Sequence, residues 1–226
     1  FPSEVINSSV FIAEELIQGE EFAVDVYFND NCKPIILNIY KHEFSSIKDV
    51  SDRAYFTSKN IIEKYHPVFY RVLEMLSRMA GFRNFPMHIE FRVTSTGEAI
   101  PIEANPMRFA GWCMTDMAWF AYGLNPYRYY FENREPDWEQ ILSEKSGKQY
   151  NVTIAEIPKN IDQKRIKHID YDKFTAEFSK PITLRKVDYR NYPAFAFMYS
   201  ETKEDNRVEF EKMLYQDLEK YIVFNA

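Results

Sequence analysis

Polar and apolar residues alternate with period two from His88 to Asn105. His88, Glu90 and Arg92 fall on one face of a first strand, and Ile89, Phe91 and Val93 on the other. Thr94 to Glu98, with Gly97 able to take a positive φ, supplies a turn. In the second arm Ile100, Ile102 and Ala104 are expected to face the core, while Glu103 and Asn105 point the other way. Pro106 has no N–H to give the ladder and ends the strand. The same reading predicts strands over Glu20–Phe28 and Pro34–Tyr40, the second running out at Lys41-His42, with Asn29-Asp30-Asn31 as the turn between them. Val10 to Ile17 reads as another strand, bent at Gln18-Gly19, so that the whole forms an antiparallel meander.

Helical spacing takes over from about Asn60 to Ala80, where Ile61, Ile62, Tyr65, Val68, Phe69, Val72, Leu73 and Leu76 share a stripe. Asn60 with Glu63 resembles a capping box, Gly81 a C-terminal cap, and Pro67 predicts a kink or a late start. Thr115 or Asp116 can cap a short helix through Tyr122 that Gly123 ends, and Asp137 to Ser143 reads as another. Beyond Tyr150 a strand over Asn151–Ile157 is followed by Lys-rich segments. A terminal amphipathic helix is expected over Val208–Tyr221, striped by Phe210, Met213, Leu214, Leu218 and Tyr221. The change of texture places a boundary near residue 148. The fold class is therefore α+β: an antiparallel sheet with packed helices in residues 1–148, and a smaller α+β extension, a lid or capping subdomain, in 149–226.

Composition narrows the function. A hydrophobic content of 46% with 19 Phe and 16 Tyr secures a packed core and argues against disorder. A net charge of −6 gives no electrostatic case for nucleic acid or for an anionic membrane. No apolar run is long enough to span a bilayer, and no secretory signal opens the chain. Cys32 and Cys113 lack metal-like spacing and read as free thiols of a cytoplasmic protein. With only 6 Gly, neither a dinucleotide fingerprint nor a Walker phosphate loop is available; Ser146-Gly-Lys148 has no preceding Gly at that spacing.

The hairpin carries the candidate chemistry. Two carboxylates, Glu90 and Glu103, and the Asn105 amide are hard oxygen donors on neighbouring strands, suited to Mg²⁺ with other positions left for phosphate oxygens and water. Arg108 just beyond can grip a phosphate with its fork of donors. The competing reading is a solvated hairpin face. Against it stands the Glu-Ala-Asn-Pro ending, because Asn and Pro are poor strand formers and ligation supplies a reason for them.

Glu14-Glu-Leu-Ile-Gln-Gly-Glu-Glu-Phe22, the strand bearing Asp25, His88-Ile-Glu90 and Ile102-Glu-Ala-Asn-Pro-Met-Arg108 together resemble the ATP-grasp superfamily over roughly residues 10–125. The resemblance implies that Glu14, Glu15, Leu16 and Ile17 lie along adenine through their backbone groups, and that Glu21 meets the ribose hydroxyls. It implies that Glu90 and Glu103 bridge magnesium (or manganese), with Asn105 completing the shell. Arg108 would stand near the transferred phosphate, though Met107 sets it one residue later than in the commonest Asn-Pro-Arg form. Lys41 sits where some members place a basic group on the triphosphate. His88 is either a phosphate contact or a satisfied structural histidine.

What the resemblance implies for activity is an ATP-dependent, ADP-forming ligase. It would activate a small carboxylate as an acyl phosphate for an amine or similar acceptor, with Phe109 to Trp112 lining the acceptor pocket. The family's phosphate-binding lysine and Gly-rich flap precede the hinge, so the chain is expected to be the C-terminal part of such an enzyme. The alternative is a non-catalytic nucleotide-binding or scaffold module. A homodimer is the assembly this reading leans toward.

Overall fold

The computed structural model describes residues 13–46 and 53–225. In chain order the elements are β1 (Glu20–Phe28), β2 (Pro34–His42), β3 (Ala54–Ser58), α1 (Lys59–Ala80), β4 (Phe85–Val93), β5 (Ala99–Pro106), α2 (Asp116–Tyr122), α3 (Pro126–Phe131), α4 (Trp138–Leu142), β6 (Lys148–Glu156), β7 (Ile166–Ile169), α5 (Tyr171–Thr175), β8 (Pro181–Lys186), β9 (Ala194–Lys203), α6 (Arg207–Tyr215) and β10 (Ile222–Phe224). Eight strands form one antiparallel sheet in the order β5-β4-β1-β2-β3-β6-β9-β8, while β10 and β7 pair separately. The α+β expectation is met.

One face of the sheet is covered by α1. Phe22, Val24, Val26 and Phe28 of β1 point at it and bury completely, with Phe22 against Tyr65 and Phe69. Removing this much aromatic surface from water, at about 25 cal/mol per Å², is the main force holding helix to sheet. The helix is capped by Ser58, whose Oγ accepts from the Ile61 N–H at 3.3 Å, and not by Asn60, which donates instead to Glu204. Gly81 closes it as expected, at φ 68° with its N–H on the Ser77 carbonyl. The helix runs through Pro67 as one element.

Two expectations fail for a physical reason. Residues 13–18 form no strand, because both sides of β1 are already taken by β2 and β4; positions 10–12 lie outside the described residues. The terminal helix stops at Tyr215, Gln216 turns extended, and Ile222 pairs with Ile169. Its predicted stripe is buried all the same, because Leu218 and Tyr221 reach the core from a short 3₁₀ turn instead. The boundary read near residue 148 falls at the start of β6, which pairs β3 on one side and β9 on the other. Residues 149–226 thus add three strands to the sheet and hold a second apolar cluster around Phe174, Phe195 and Tyr221.

Candidate functional site

The second face of the sheet is where the candidate residues gather. Opposite the α1-facing residues, β1 presents Glu21, Ala23 and Asp25, and strand register builds three rows across the sheet from them. Glu21 lies beside His42 and Arg92; Ala23 beside Tyr40 and Glu90; Asp25 beside Asn38 and His88. Register with β5 then sets Glu103 directly opposite Glu90, and Asn105 opposite His88. The small side chain of Ala23 leaves the middle row low beside Glu90, with Glu103 on the far side of that glutamate.

In the first row Glu21 is fully engaged. Its Oε1 lies 2.7 Å from His42 Nδ1, and its Oε2 takes the Arg92 guanidinium, which also donates to the Gly19 carbonyl at 3.1 Å. His42 is stacked between Phe44 and Tyr55. In the last row Asp25 is wholly buried and accepts from the Tyr40 hydroxyl at 2.7 Å, from the Ala110 N–H at 2.8 Å and from His88 Nδ1 at 2.8 Å. Burial, then the charge of Asp25, push the Tyr40 phenol well above its ordinary range, which keeps it a donor. His88 Nε2 points to the middle row, 3.9 Å from Glu90 Oε1.

Glu103 is exposed and accepts from the Asn105 amide at 2.9 Å, which fixes the direction of its carboxylate. Ala104 is exposed and Ile100 and Ile102 only partly buried: β5 is the edge strand, and its bulge breaks the expected alternation, so that Ile100 lies across from Arg92 while Ala104 lies across from Ile89 on the other face. Among the described residues no three His, Cys, Asp or Glu side chains are gathered tightly enough to hold an ion by themselves. Two opposed carboxylates and an amide nevertheless fit a hard divalent cation that keeps waters and phosphate oxygens in its shell.

Arg108 follows Met107, which takes a left-handed φ of 60°, as do Trp112 at 50° and Cys113 at 64°. Three such non-glycine residues within seven positions mark a segment held by its surroundings rather than by local preference. Arg108 is exposed and donates to its neighbour's carbonyl, at Phe109. Phe109 turns into the core against Tyr127, whereas Trp112 stays half exposed over Tyr192 and Phe197.

A cavity of about 570 Å³ opens at the Glu21 end, lined by Leu16 to Glu21, Lys41, His42, Phe44 and Arg92. Leu16 and Ile17 therefore line it as a hinge segment would, while Glu14 and Glu15 are exposed outside its wall. Lys41 is not brought to the glutamates. It is registered on Phe22, so its side chain leaves on the α1 side and pairs with Glu20. Burial pushes the Glu20 carboxyl up, but Lys41 more than offsets this and holds it below its ordinary value.

The sequence reading gave no role to Asp25, Tyr40, His42 or Arg92. The one signal available was a lone acid at the centre of a strand otherwise flanked by valines.

Residues 1–116 match the ATP-grasp domain. The chain belongs to the ATP-grasp family. No curated protein shows significant similarity to it. Among solved structures this ATP-grasp chain is similar to the L-amino acid ligase from Bacillus licheniformis, with a TM-score of 0.67 at 14% identity over 93% of this chain and 55% of that one. It is also similar to N5-carboxyaminoimidazole ribonucleotide synthetase from Thermotoga maritima, with a TM-score of 0.62 at 13% identity over 95% and 56% of the two chains. Phosphoribosylglycinamide synthetase from Anaerococcus prevotii gives 0.62 at 11% identity over 94% and 55%. The ATP-grasp fold is common to all of them, and this chain spans about half the length of each.

Proposed function

We propose that the chain supplies the metal-holding half of the active site of an ATP-dependent ligase that activates a small carboxylate as an acyl phosphate for attack by an amine or similar nucleophile. The observation that carries this reading is the direct opposition of Glu90 and Glu103 across β4 and β5, with Asn105 bonded to one of them. Two like charges facing each other on neighbouring strands are unfavourable by themselves, and a cation held by both relieves the repulsion. Glu90, Glu103 and Asn105 would hold Mg²⁺ or Mn²⁺, which when bound neutralises phosphate charge during transfer.

The remaining roles follow the rows of the sheet. The hinge at Leu16 and Ile17, with the cavity beside it, is where the adenosine would lie, and Glu21 with Arg92 closes its floor. The nucleotide would then extend along the Ala23 row to the glutamates. Arg108 stands beyond them with its fork available to an anion, at the end where the carboxylate substrate and its acyl phosphate belong. Trp112 offers an aromatic wall to the acceptor. No protein nucleophile is required, so the chain's part is positioning and charge stabilisation. A cytoplasmic setting belongs to the same proposal, supported by the free thiols Cys32 and Cys113.

The test is ADP release in the presence of ATP and Mg²⁺ with a panel of carboxylates and amines, and hydroxylamine added to trap acyl phosphate as hydroxamate. Release should require the metal and a carboxylate, and Glu103→Gln should lower it by about a hundredfold or more. Undiminished turnover in that variant would sink the assignment. Metal-dependent nucleotide binding with no turnover across the panel would favour a non-catalytic module.

A further inference from the structure

Asp25 is the one acidic side chain in the fully buried class among the described residues. A buried carboxylate is costly unless donors surround it, and here three converge from separate elements: Tyr40 on β2, His88 on β4 and Ala110 in the segment after β5. The two oxygens divide the work. Oδ2 takes the phenol alone, whereas Oδ1 takes both the imidazole and the Ala110 N–H.

The division matters because of what lies behind each donor. An ionised carboxylate can only accept, so Nδ1 of His88 donates to Oδ1, and the ring is held with its other nitrogen, Nε2, turned to the middle row. Nε2 is the ring atom facing Glu90 Oε1 at 3.9 Å, so Asp25 sets the direction of the ring beside the glutamates. Meanwhile Ala110 lies two residues past Arg108, directly after the left-handed turn at Met107. One oxygen atom therefore fixes both the ring beside the glutamates and the middle of the Arg108–Trp112 segment.

We propose that Asp25 is a positioning residue for the phosphoryl-transfer end of the site, acting through Oδ1 on His88 and on the Ala110 backbone. This rests on the ligase reading above. A carboxylate that orients an imidazole through its far nitrogen is a recurrent arrangement around cation sites, where it sets the tautomer and the direction of the near nitrogen. The hinge end of the site touches none of these groups. Losing Asp25 should therefore affect transfer and spare nucleotide binding.

The experiment combines kinetics with ¹⁵N-histidine NMR of the protein at one fixed pH, His88 being assigned by loss of its signals in His88→Gln. Wild type should show Nδ1 protonated. Asp25→Asn, which keeps the shape and loses the charge, should lower kcat about tenfold with the nucleotide KM within twofold. Tyr40→Phe, which removes a buried hydrogen bond at Oδ2 alone, should leave His88 protonated on Nδ1 as in wild type. A proton on Nε2 instead of Nδ1 in wild type overturns the proposal without any variant. So does an unchanged kcat in Asp25→Asn, or the loss of the Nδ1 proton of His88 in Tyr40→Phe, which would make the cluster merely structural. A wild-type protein that releases no ADP with any carboxylate overturns the ligase reading, and the Asp25 proposal with it.

Discussion

Replacing Glu103 by Gln should make the metal-free protein slightly more stable and deprive it of most of its stabilisation by metal. In the free protein Glu103 faces Glu90 in register on the neighbouring strand, and like charges so placed cost about 0.2–1 kcal/mol. Gln keeps the shape, and its amide oxygen accepts the Asn105 hydrogen bond as the carboxylate does. The expected gain without metal is therefore roughly 0.5 kcal/mol, about 1–2 °C in a chain of this size. Adding Mg²⁺ with a non-hydrolysable ATP analogue to about a hundred times its Kd should stabilise wild type by about 2.7 kcal/mol, or roughly 5–10 °C. The variant should gain less than about a third of that, because one of two charged ligands is gone. Thermal and urea unfolding at low ionic strength, with and without the ion, read both numbers. A variant less stable than wild type in the absence of metal would refute the reasoning, as would an undiminished metal shift. Either result would mean that the opposition of the two carboxylates does not serve a cation.

The hinge and the second apolar cluster offer independent checks. A Cβ at Gly19 would lie 2.3 Å from the Val93 carbonyl oxygen, a backbone atom that cannot swing aside. Gly19→Ala should thus cost about 1–3 kcal/mol by overpacking and weaken nucleotide binding, since the Gly19 carbonyl is the point that Arg92 grips. Calorimetric titration with an ATP analogue and thermal melts check it, and wild-type values in both would refute it. Far from the site, a hydrogen bond from Lys212, assisted by Lys220, pulls the Glu177 carboxyl from 4.5 down to about 2 against the upward push of burial. A folded pKa below the unfolded one means that the pair stabilises above pH 4.5 and that the contribution is lost as pH falls through about 2. The double variant Lys212→Ala, Lys220→Ala should therefore unfold at a higher pH in an acid titration followed by circular dichroism. An unmoved midpoint would refute the pairing.

Local signals made the hairpin, β1, β2 and α1 legible to within about three residues, since period-two and helical patterns are written in neighbouring positions. That Glu90 and Glu103 share a face was readable as well, but their direct opposition was not: the register of the turn alone would set Ile102 across from Glu90, and a bulge in β5 brings Glu103 there instead. Lys41 shows where this stops. One position separates it from His42, and that parity decides which side of the sheet a side chain leaves from. The Asp25 cluster was out of reach because its donors lie 15, 63 and 85 residues away in sequence. Val10–Ile17 looked like a strand on its own terms, but a strand also needs an unoccupied edge to pair with, and β1 has none. At the other end, Leu218 and Tyr221 kept a helical stripe's spacing while the pairing of Ile222 with Ile169 broke the helix between them and its start.

The position of β3 has a consequence for how the chain comes to be folded. β3 is five residues long, and of its two neighbours in the sheet β2 meets it at only Phe56 and Tyr55, whereas β6 pairs with all five of its residues, from Ala54 on Thr153 to Ser58 on Gln149. During synthesis at about 5–20 residues per second, β3 therefore waits several seconds with its principal edge open. Until β6 emerges, that edge is a template for any strand that comes by. The closing of loops this long is also the slow step in assembling sheets with distant pairings. Truncation anywhere before β6 would thus leave the hairpin that bears the two glutamates attached to a sheet with an unfinished side, and yield in the cell would fall before chemistry did.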